Sequence, residues 1–198
     1  MGWRSSASVC LLLGVAFSLA AGCGHLVYSS GPYSGQVVDA ETGRPVAGAA
    51  VVAIWTREMP TGPEVAEGDW DVYETLSDGN GQFAIPHRTH FTPFGWILEP
   101  KLKVYYPAYT PGYAAYYGRD VPVVDRPPRD PRDRDRPETY VTIPLRRPTT
   151  RGARIHDADL PLGMEMVRWE QVPNLMRLIN EERSQLGLQP FRKPGSQP

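Results

Sequence analysis

Cysteine is scarce in this chain of 198 residues, which contains only Cys10 and Cys23. Both lie in the first 23 residues, so no disulfide can form within residues 24–198. A domain built from that part of the chain must be stabilised by burial of apolar surface. The apolar run from Val9 to Ala21 is shorter than the roughly 20 residues that a membrane-spanning helix requires. The sequence therefore predicts neither a disulfide framework nor a spanning helix.

Charge of one sign is also lacking, because 21 Lys and Arg residues face 22 Asp and Glu residues, for a net charge of −1. A nucleic-acid-binding surface needs a basic excess, so no nucleic-acid partner is expected. The sequence contains no Gly-x-Ser-x-Gly nucleophile motif, no P-loop and no cysteine nucleophile after residue 23. We therefore predict that the protein is not an enzyme, and we assign it no catalytic residue and no cofactor.

The N-terminus has the organisation of a secretory signal. Arg4 precedes the apolar run, and the small residues 20–22 lead directly into Cys23. Leu19-Ala-Ala-Gly-Cys23 resembles the lipobox of bacterial lipoproteins, with Ala20 where that family prefers a larger aliphatic residue. The resemblance implies that residues 1–22 are removed and that lipid on Cys23 anchors the protein in a membrane. Ordinary signal-peptidase cleavage near Ala21 is the alternative.

The residues after the cysteine bear on location. Gly24 and His25 stand where, in enteric bacteria, lipoproteins retained in the inner membrane carry an aspartate. The resemblance therefore implies a cell-envelope protein anchored in the outer membrane and facing the periplasm. Residues 23–32 are interpreted as the linker between the anchor and the first domain.

Short β-prone segments follow this linker, separated by turn residues. Residues 36–39 and 49–56 flank a turn with Pro45 and Gly48, which predicts a hairpin. Asp78-Gly-Asn-Gly81, between residues 73–76 and 82–85, predicts a second hairpin. Since residues 49–56 are apolar on both faces, this strand should be central in its sheet or covered on both sides.

Two later segments alternate polar with apolar residues. The pattern points Leu102, Val104 and Tyr106 of 101–106 inward, and it does the same for Val141, Ile143 and Leu145 of 140–145. Pro144 marks a strand end or a sheet edge. Six or seven such short strands favour an all-β sandwich.

Two motifs carry a family resemblance for this region. Gly35-Gln-Val-Val-Asp-Ala-Glu-Thr-Gly-Arg-Pro-Val-Ala-Gly-Ala-Ala-Val51 and Ser77-Asp-Gly-Asn-Gly-Gln-Phe83 together resemble the opening half of a carboxypeptidase regulatory-like domain. The resemblance covers about half the chain and implies a transthyretin-like or Ig-like β-sandwich of about seven strands over residues 33–146. In metallocarboxypeptidases this domain accompanies a zinc-bearing catalytic domain, whose His-x-x-Glu pair is missing here. Unrelated β hairpins are the alternative.

Two insertions decorate the predicted sandwich. Residues 59–68 are expected to form a polar loop, and residues 86–100 a second loop that contains His87 and His90. A His-x-x-His pair without a third ligand is a weak metal signal, so no metal is assigned. The apolar segment 91–96 is expected to fold back and close one end of the sandwich. A ligand-binding role for this loop is the alternative.

Aromatic residues supply the candidate contacts with a ligand or partner. Tyrosine and tryptophan combine an apolar face with a polar group, which suits sugar stacking or a protein interface. The candidates are Tyr109, Tyr113, Tyr116, Tyr117 and Trp96. Carboxypeptidase regulatory-like sandwiches are similar in fold to starch-binding-like modules, so the glycan hypothesis rests on analogy. In the alternative, these tyrosines are core and rim residues of a strand.

The rest of the chain is assigned to linkers and one helix. Residues 125–137, in which Arg, Asp and Pro alternate, are expected to be a disordered, solvated loop, or else an electrostatic contact with envelope polymers or lipid headgroups. Residues 147–171 are interpreted as a linker, and 188–198 as a disordered tail. A helix is predicted over 172–187, with Pro173 first and Gly187 as its stop. Its apolar face has Leu175, Met176, Ile179 and Leu186, and its solvent side has Arg177, Glu181, Glu182 and Arg183.

These observations predict a non-catalytic, lipid-anchored cell-envelope protein. Its sandwich would act as a structural or protein-interaction module, with the membrane and an envelope protein as partners. A carbohydrate-binding module for an envelope polysaccharide is the alternative. A third hypothesis is an accessory subunit that regulates a separate envelope enzyme.

Overall fold

Ten strands and two α-helices make up the computed structural model within the residues it describes, 27–61, 65–115, 140–159 and 168–192. The strands are β1 (Val27–Ser30), β2 (Tyr33–Asp39), β3 (Ala50–Pro60), β4 (Val65–Leu76), β5 (Gln82–Ile85), β6 (Arg88–Phe91), β7 (Trp96–Ile97), β8 (Lys101–Tyr105), β9 (Gly112–Ala115) and β10 (Tyr140–Leu145). The helices are α1 (Arg151–Asp159) and α2 (Pro173–Gln185), and a 3₁₀ turn over Trp169–Gln171 precedes α2.

Seven of these strands form a sandwich of two sheets. One sheet has the order β10-β2-β5, with β10 parallel to β2, and the other has the antiparallel order β4-β3-β8-β9. The short β7 pairs with the far end of β3, and β1 pairs with β6 in a separate ribbon. The predicted all-β sandwich with a C-terminal helix is therefore confirmed, and β1, β6 and β7 are additions to its seven strands.

Strand β3 is the centre of the molecule, as its two apolar faces predict. Its inner face, toward the three-stranded sheet, buries Val51, Ala53 and Trp55 in the sandwich core with residues of β2, β5, β8 and β10. Its outer face buries Val52 and Ile54 against α2. Burial of apolar surface contributes roughly 25 cal/mol per Å², and this strand gains it on both faces.

Both predicted hairpins are wrong, because each turn carries the chain from one sheet to the other. Strands β2 and β5 pair with each other, whereas β3 pairs with β4. The second turn packs on β2: the Val37 N–H donates to the Gly81 carbonyl at 2.8 Å, and Gly81 has φ of 70°. Turn residues determine where the chain reverses, whereas the pairing partner depends on tertiary packing.

The predicted insertions are also more regular than expected. Residues 59–68 largely extend the β3–β4 hairpin, which pairs from Ala50 with Leu76 to Pro60 with Val65 around a bulge at Trp70. The loop over 86–100 contains β6 and β7, and the end of the anchor linker forms β1. The assignment of both segments to loops is therefore wrong in part, because cross-strand pairing forms strands within each of them.

The C-terminal helix begins at Pro173 as predicted, and Gly187 follows it with φ of 76°. The segment 147–171 is not a linker throughout, since it contains α1. The Thr150 hydroxyl accepts a hydrogen bond from the Ala153 N–H at 3.1 Å, a helix N-cap that the sequence analysis missed.

One side of α2 was predicted to face solvent, but helix α1 covers part of it. Glu182 and Arg183 are 2% and 9% exposed, so for them the prediction is wrong. Arg154 of α1 donates two hydrogen bonds of 2.8 Å to the Glu182 carboxylate. The start of the predicted tail is also ordered, because the Phe191 N–H donates to the Asn180 side chain at 2.7 Å. The loop at 125–137, the rest of the tail and the signal region lie outside the described residues.

Candidate binding surfaces

Tyr109 is a buried structural residue and not an accessible contact. Its side chain is 8% exposed, and its hydroxyl donates to the Asp39 carboxylate at 2.8 Å. The Arg147 guanidinium donates to the same hydroxyl at 2.8 Å and lies 4.8 Å from the ring centroid. The prediction that Tyr109 contacts a ligand is therefore wrong in this fold, because the residue joins the β8–β9 connection to the end of β10.

Asp39 is the acceptor that organises this cluster. Besides Tyr109, its carboxylate accepts hydrogen bonds from the backbone N–H groups of Glu41 and Thr42 at 3.0 and 2.9 Å. These bonds, that of Tyr109 foremost, hold the pKa of Asp39 well below its usual range. The cluster fixes the turn after β2, and its polar groups are occupied by structural bonds.

Tyr113 and Trp96 lie on the outer face of the four-stranded sheet. Tyr113 pairs with Lys103, which pairs with Val52, while Trp96 pairs with Glu58 of the same β3 strand. Side chains alternate along a strand, so residues opposite Val52 and Glu58 share the face on which α2 packs. Tyr113 is 62% exposed and Trp96 is 45% exposed. Both remain candidates for a partner contact.

The two aromatic residues do not form one stacking platform. Tyr113 lies level with Val52, two strands away, and Trp96 lies level with Glu58. Val52 and Glu58 are six residues apart, so the two aromatic residues are separated by about 20 Å along the strand direction. The surface between them is polar and of mixed charge. We define the outer-face surface as Glu58, Glu67, Trp96, Lys101, Lys103 and Tyr113.

Hydrogen bonds, an ion pair and partial burial hold the side chains of this outer-face surface in place. The Trp96 indole N–H donates to the Glu58 carboxylate, which fixes the ring on the short β7 strand. Lys101 and Glu67 form an exposed ion pair at 3.1 Å. Burial lowers the pKa of Lys103, which is closer to α2. The surface therefore combines two exposed aromatic rings, a residue class that protein interfaces favour, with a charged surround.

The two histidines of the His-x-x-His segment have different surroundings. His87 is exposed, and its Nε2 lies 2.8 Å from the Ser29 hydroxyl. His90 is 7% exposed, with its ring centroid 5.5 Å from that of Trp55 and its Nδ1 3.8 Å from Asp71. Across the ranges that the structure describes, no group of three or more His, Cys, Asp or Glu side chains could hold a metal ion.

An exposed apolar patch lies where the sequence predicted closure of the sandwich. Val27, Phe91 and Phe94 are 61%, 63% and 77% exposed, so the expectation that residues 91–96 fold back over the core is wrong. The Thr92 hydroxyl donates to the Phe94 carbonyl at 2.8 Å, and a Cβ on Gly95 would lie 2.1 Å from the Glu58 carbonyl oxygen. Because the backbone of this turn packs so closely on β3, Phe94 is left outside. We call Val27, Phe91 and Phe94 the apolar patch.

Tyr116, Tyr117 and Cys23, the other predicted site residues, lie outside the described residues. The apolar patch was not predicted from the sequence, because Val27 on β1 is more than 60 residues away in the chain from Phe91 and Phe94. The signal that was available is the repetition of Phe around Pro93 and before Gly95. No helix in the described ranges is long and apolar enough to span a membrane.

Comparison with known proteins adds little to this picture. No family model and no curated protein matches the chain. Among solved structures, the chain is similar to a 9R-lipoxygenase from Cyanothece PCC8801, at 16% sequence identity and a TM-score of 0.25. The match covers 70% of this chain and 23% of that one, so the chain spans less than a quarter of the lipoxygenase. At that TM-score the likeness carries no argument about fold or function.

Proposed function

We propose that this protein is a lipid-anchored cell-envelope protein whose β-sandwich is a structural or protein-interaction module without catalysis of its own. The lipobox-like segment that ends at Cys23 supports the anchor. The first strand begins at Val27, only four residues later, and pairs with β6. An acylated Cys23 would therefore hold the folded domain close to the membrane. Gly24 and His25, in place of the aspartate of retained lipoproteins, favour the outer membrane, with the domain facing the periplasm.

Trp96 is the residue that best supports a protein-interaction role. Its indole is 45% exposed, and its N–H is bound to Glu58 on the neighbouring strand. Tryptophan is enriched among the residues that dominate interface energetics, and a side chain held in place loses little entropy on binding. The Lys101–Glu67 pair beside it supplies a polar rim.

The kind of partner is proposed from the family resemblance. Carboxypeptidase regulatory-like domains accompany other domains, and the segments 35–51 and 77–83 carry that resemblance here. We therefore expect an envelope protein as the partner, which includes an enzyme that this module regulates as an accessory subunit.

In-cell photo-crosslinking tests the interaction half. A photo-reactive amino acid at Lys101 should capture one dominant envelope protein, and an additional Trp96→Ala substitution should abolish that capture. The matched control places the probe at Ala84, which is exposed on the other sheet. Equal capture from Lys101 and Ala84, or capture that survives Trp96→Ala, would contradict the assignment of this surface.

Carbohydrate binding remains the second proposed function, because Tyr113 is 62% exposed and lies opposite Lys103. Aromatic faces beside hydrogen-bonding groups suit sugar rings. Saturable binding of an envelope polysaccharide that Tyr113→Ala abolishes and Tyr109→Phe preserves would support it. Binding that is absent, or equal in both variants, would exclude Tyr113 as the contact.

A further inference from the structure

We propose that the apolar patch of Val27, Phe91 and Phe94 inserts into the interfacial layer of the phospholipid bilayer and fixes the orientation of the sandwich on the membrane. This inference rests on the proposed lipid anchor at Cys23. It adds a second membrane contact, made by the folded domain itself.

Strand geometry places Val27 and Phe91, two of the three patch residues, on one surface of the β1–β6 ribbon. Val27 is directly opposite Phe91 in the antiparallel register, and Tyr28 is opposite His90. Side chains alternate, so Tyr28 and His90 face Trp55 and the core, whereas Val27 and Phe91 face away from it. Phe94 follows three residues after Phe91 in a turn that packs its backbone against β3.

The short distance in sequence between Cys23 and Val27 identifies the bilayer as the surface that covers the apolar patch. Val27 is the first residue of β1 and lies four residues after Cys23, a stretch that spans at most about 14 Å when extended. Lipid on Cys23 holds that residue at the level of the headgroups. Phe91 is one strand away from Val27, about 5 Å across the ribbon. The end of the domain that carries the patch is therefore the end held nearest to the membrane.

Charge and side-chain chemistry agree with a lipid surface. Between Pro86 and Leu98 the sequence contains no carboxylate, and its only Lys or Arg residue is Arg88. Anionic headgroups therefore meet no repulsion from this segment. Exposed phenylalanines favour the boundary between headgroups and acyl chains, where apolar faces are buried by about 5–10 Å.

Site-specific fluorescence tests the proposal on the lipidated protein. Cys23 is the only cysteine of the chain from residue 23 onward, and lipidation blocks its thiol, so a cysteine introduced by Phe94→Cys is labelled alone. The labelled protein is reconstituted in phosphatidylethanolamine–phosphatidylglycerol vesicles that contain nitroxide-labelled lipid. An NBD probe at position 94 should shift its emission to the blue and lose intensity to the nitroxide. The control is Tyr113→Cys. The Tyr113 side chain is as exposed as that of Phe91, and a probe at this position should stay in water.

Vesicle flotation separates the two proposals. Protein that floats with vesicles, with quenching at 94 and none at 113, supports the bilayer contact. Protein that floats without quenching at 94, or with equal quenching at both positions, overturns it and leaves the anchor intact. Protein from wild-type membranes that fails to float and has no acyl mass on Cys23 overturns both the anchor and this inference.

Discussion

The carboxylate of Glu74 on β4 accepts a hydrogen bond from the backbone N–H of Leu175 at 2.7 Å, in the first turn of α2. Its other oxygen accepts from the backbone N–H of Asn174 at 2.9 Å. No side chain within α2 caps its N-terminus, because Val172 occupies the cap position. A strand of the sandwich therefore satisfies the free N–H groups of the helix and docks it on the outer face.

Replacing Glu74 with alanine should destabilise the protein by about 1–2 kcal/mol, the range for loss of a helix cap. Urea unfolding at neutral pH measures the free energy of unfolding. Glu67→Ala is the control on the same strand, because Glu67 forms only an exposed ion pair, and it should cost less than about 1 kcal/mol. Equal losses in the two variants would contradict the capping role.

The ion pair between α1 and α2 should be far more sensitive than the exposed pair within α2. Arg154→Met leaves the buried Glu182 carboxylate without its partner, at a cost of about 3 kcal/mol or more. Arg177→Met removes the exposed pair with Glu181, which should cost about 0.5 kcal/mol or less. The same unfolding measurement compares them, and similar values would show that α1 does not pack on α2 as described.

Gly35 should tolerate no side chain. A Cβ there would lie 2.3 Å from the Val141 carbonyl oxygen and 2.5 Å from a ring carbon of Phe83. Gly35→Ala would force β10 and β5 away from β2, so we expect a loss of at least about 1–3 kcal/mol. Gly68 also lies in a strand, and its Cβ would meet no atom within 4 Å. Gly68→Ala should leave thermal stability unchanged or raise it.

Stability should fall as pH drops through the ordinary range for histidine. Burial lowers the pKa of His90, although Asp71 opposes this shift and Arg88 adds to it. The unfolded chain therefore binds a proton near pH 6.5 that the folded protein binds only at lower pH, so stability is complete above that value and declines below it. His90→Phe keeps an aromatic ring beside Trp55 and should flatten the decline, whereas His87→Gln should preserve it. Unfolding free energies of both variants, measured across this pH range, show whether His90 causes the decline.

Asp39 should cause a second loss of folding stability, at a more acidic pH than that of His90. Its pKa is lowered in the folded protein, chiefly by the Tyr109 hydroxyl, so its contribution is complete above about pH 4 and is lost as pH falls further. Asp39→Asn should therefore reduce the acid sensitivity below about pH 4 and leave the slope near pH 6.5 unchanged. If this variant loses as much unfolding free energy below about pH 4 as the wild type does, the role of the Tyr109–Asp39 hydrogen bond is contradicted.

Much of the fold was predictable because its signals are local. The apolar residues on both faces of 49–56 required a covered central strand, and Pro173 with Gly187 bounded a helix. Pairing partners were not predictable in this way. The turn at Asp78–Gly81 indicates a chain reversal, but its docking on Val37, 41 residues or more earlier in the chain, comes from packing.

The candidate site was predictable only in part for the same reason. Tyr109 and Tyr113 have similar sequence surroundings, yet Asp39 and Arg147 bury the first, and the second is exposed. These partners lie far away in the chain, so no local pattern distinguishes the two tyrosines. The apolar patch likewise requires the pairing of Val27 with Phe91, which only the assembled ribbon provides.

The mass of the N-terminal peptide, measured on protein extracted from its native membranes, shows whether Cys23 is the lipid anchor. We expect that the mature chain begins at Cys23, that this residue carries acyl chains, and that Cys23→Ala releases the protein from the membrane fraction. An unmodified N-terminus created by cleavage near Ala21, on a protein that Cys23→Ala does not redistribute, would contradict the anchor.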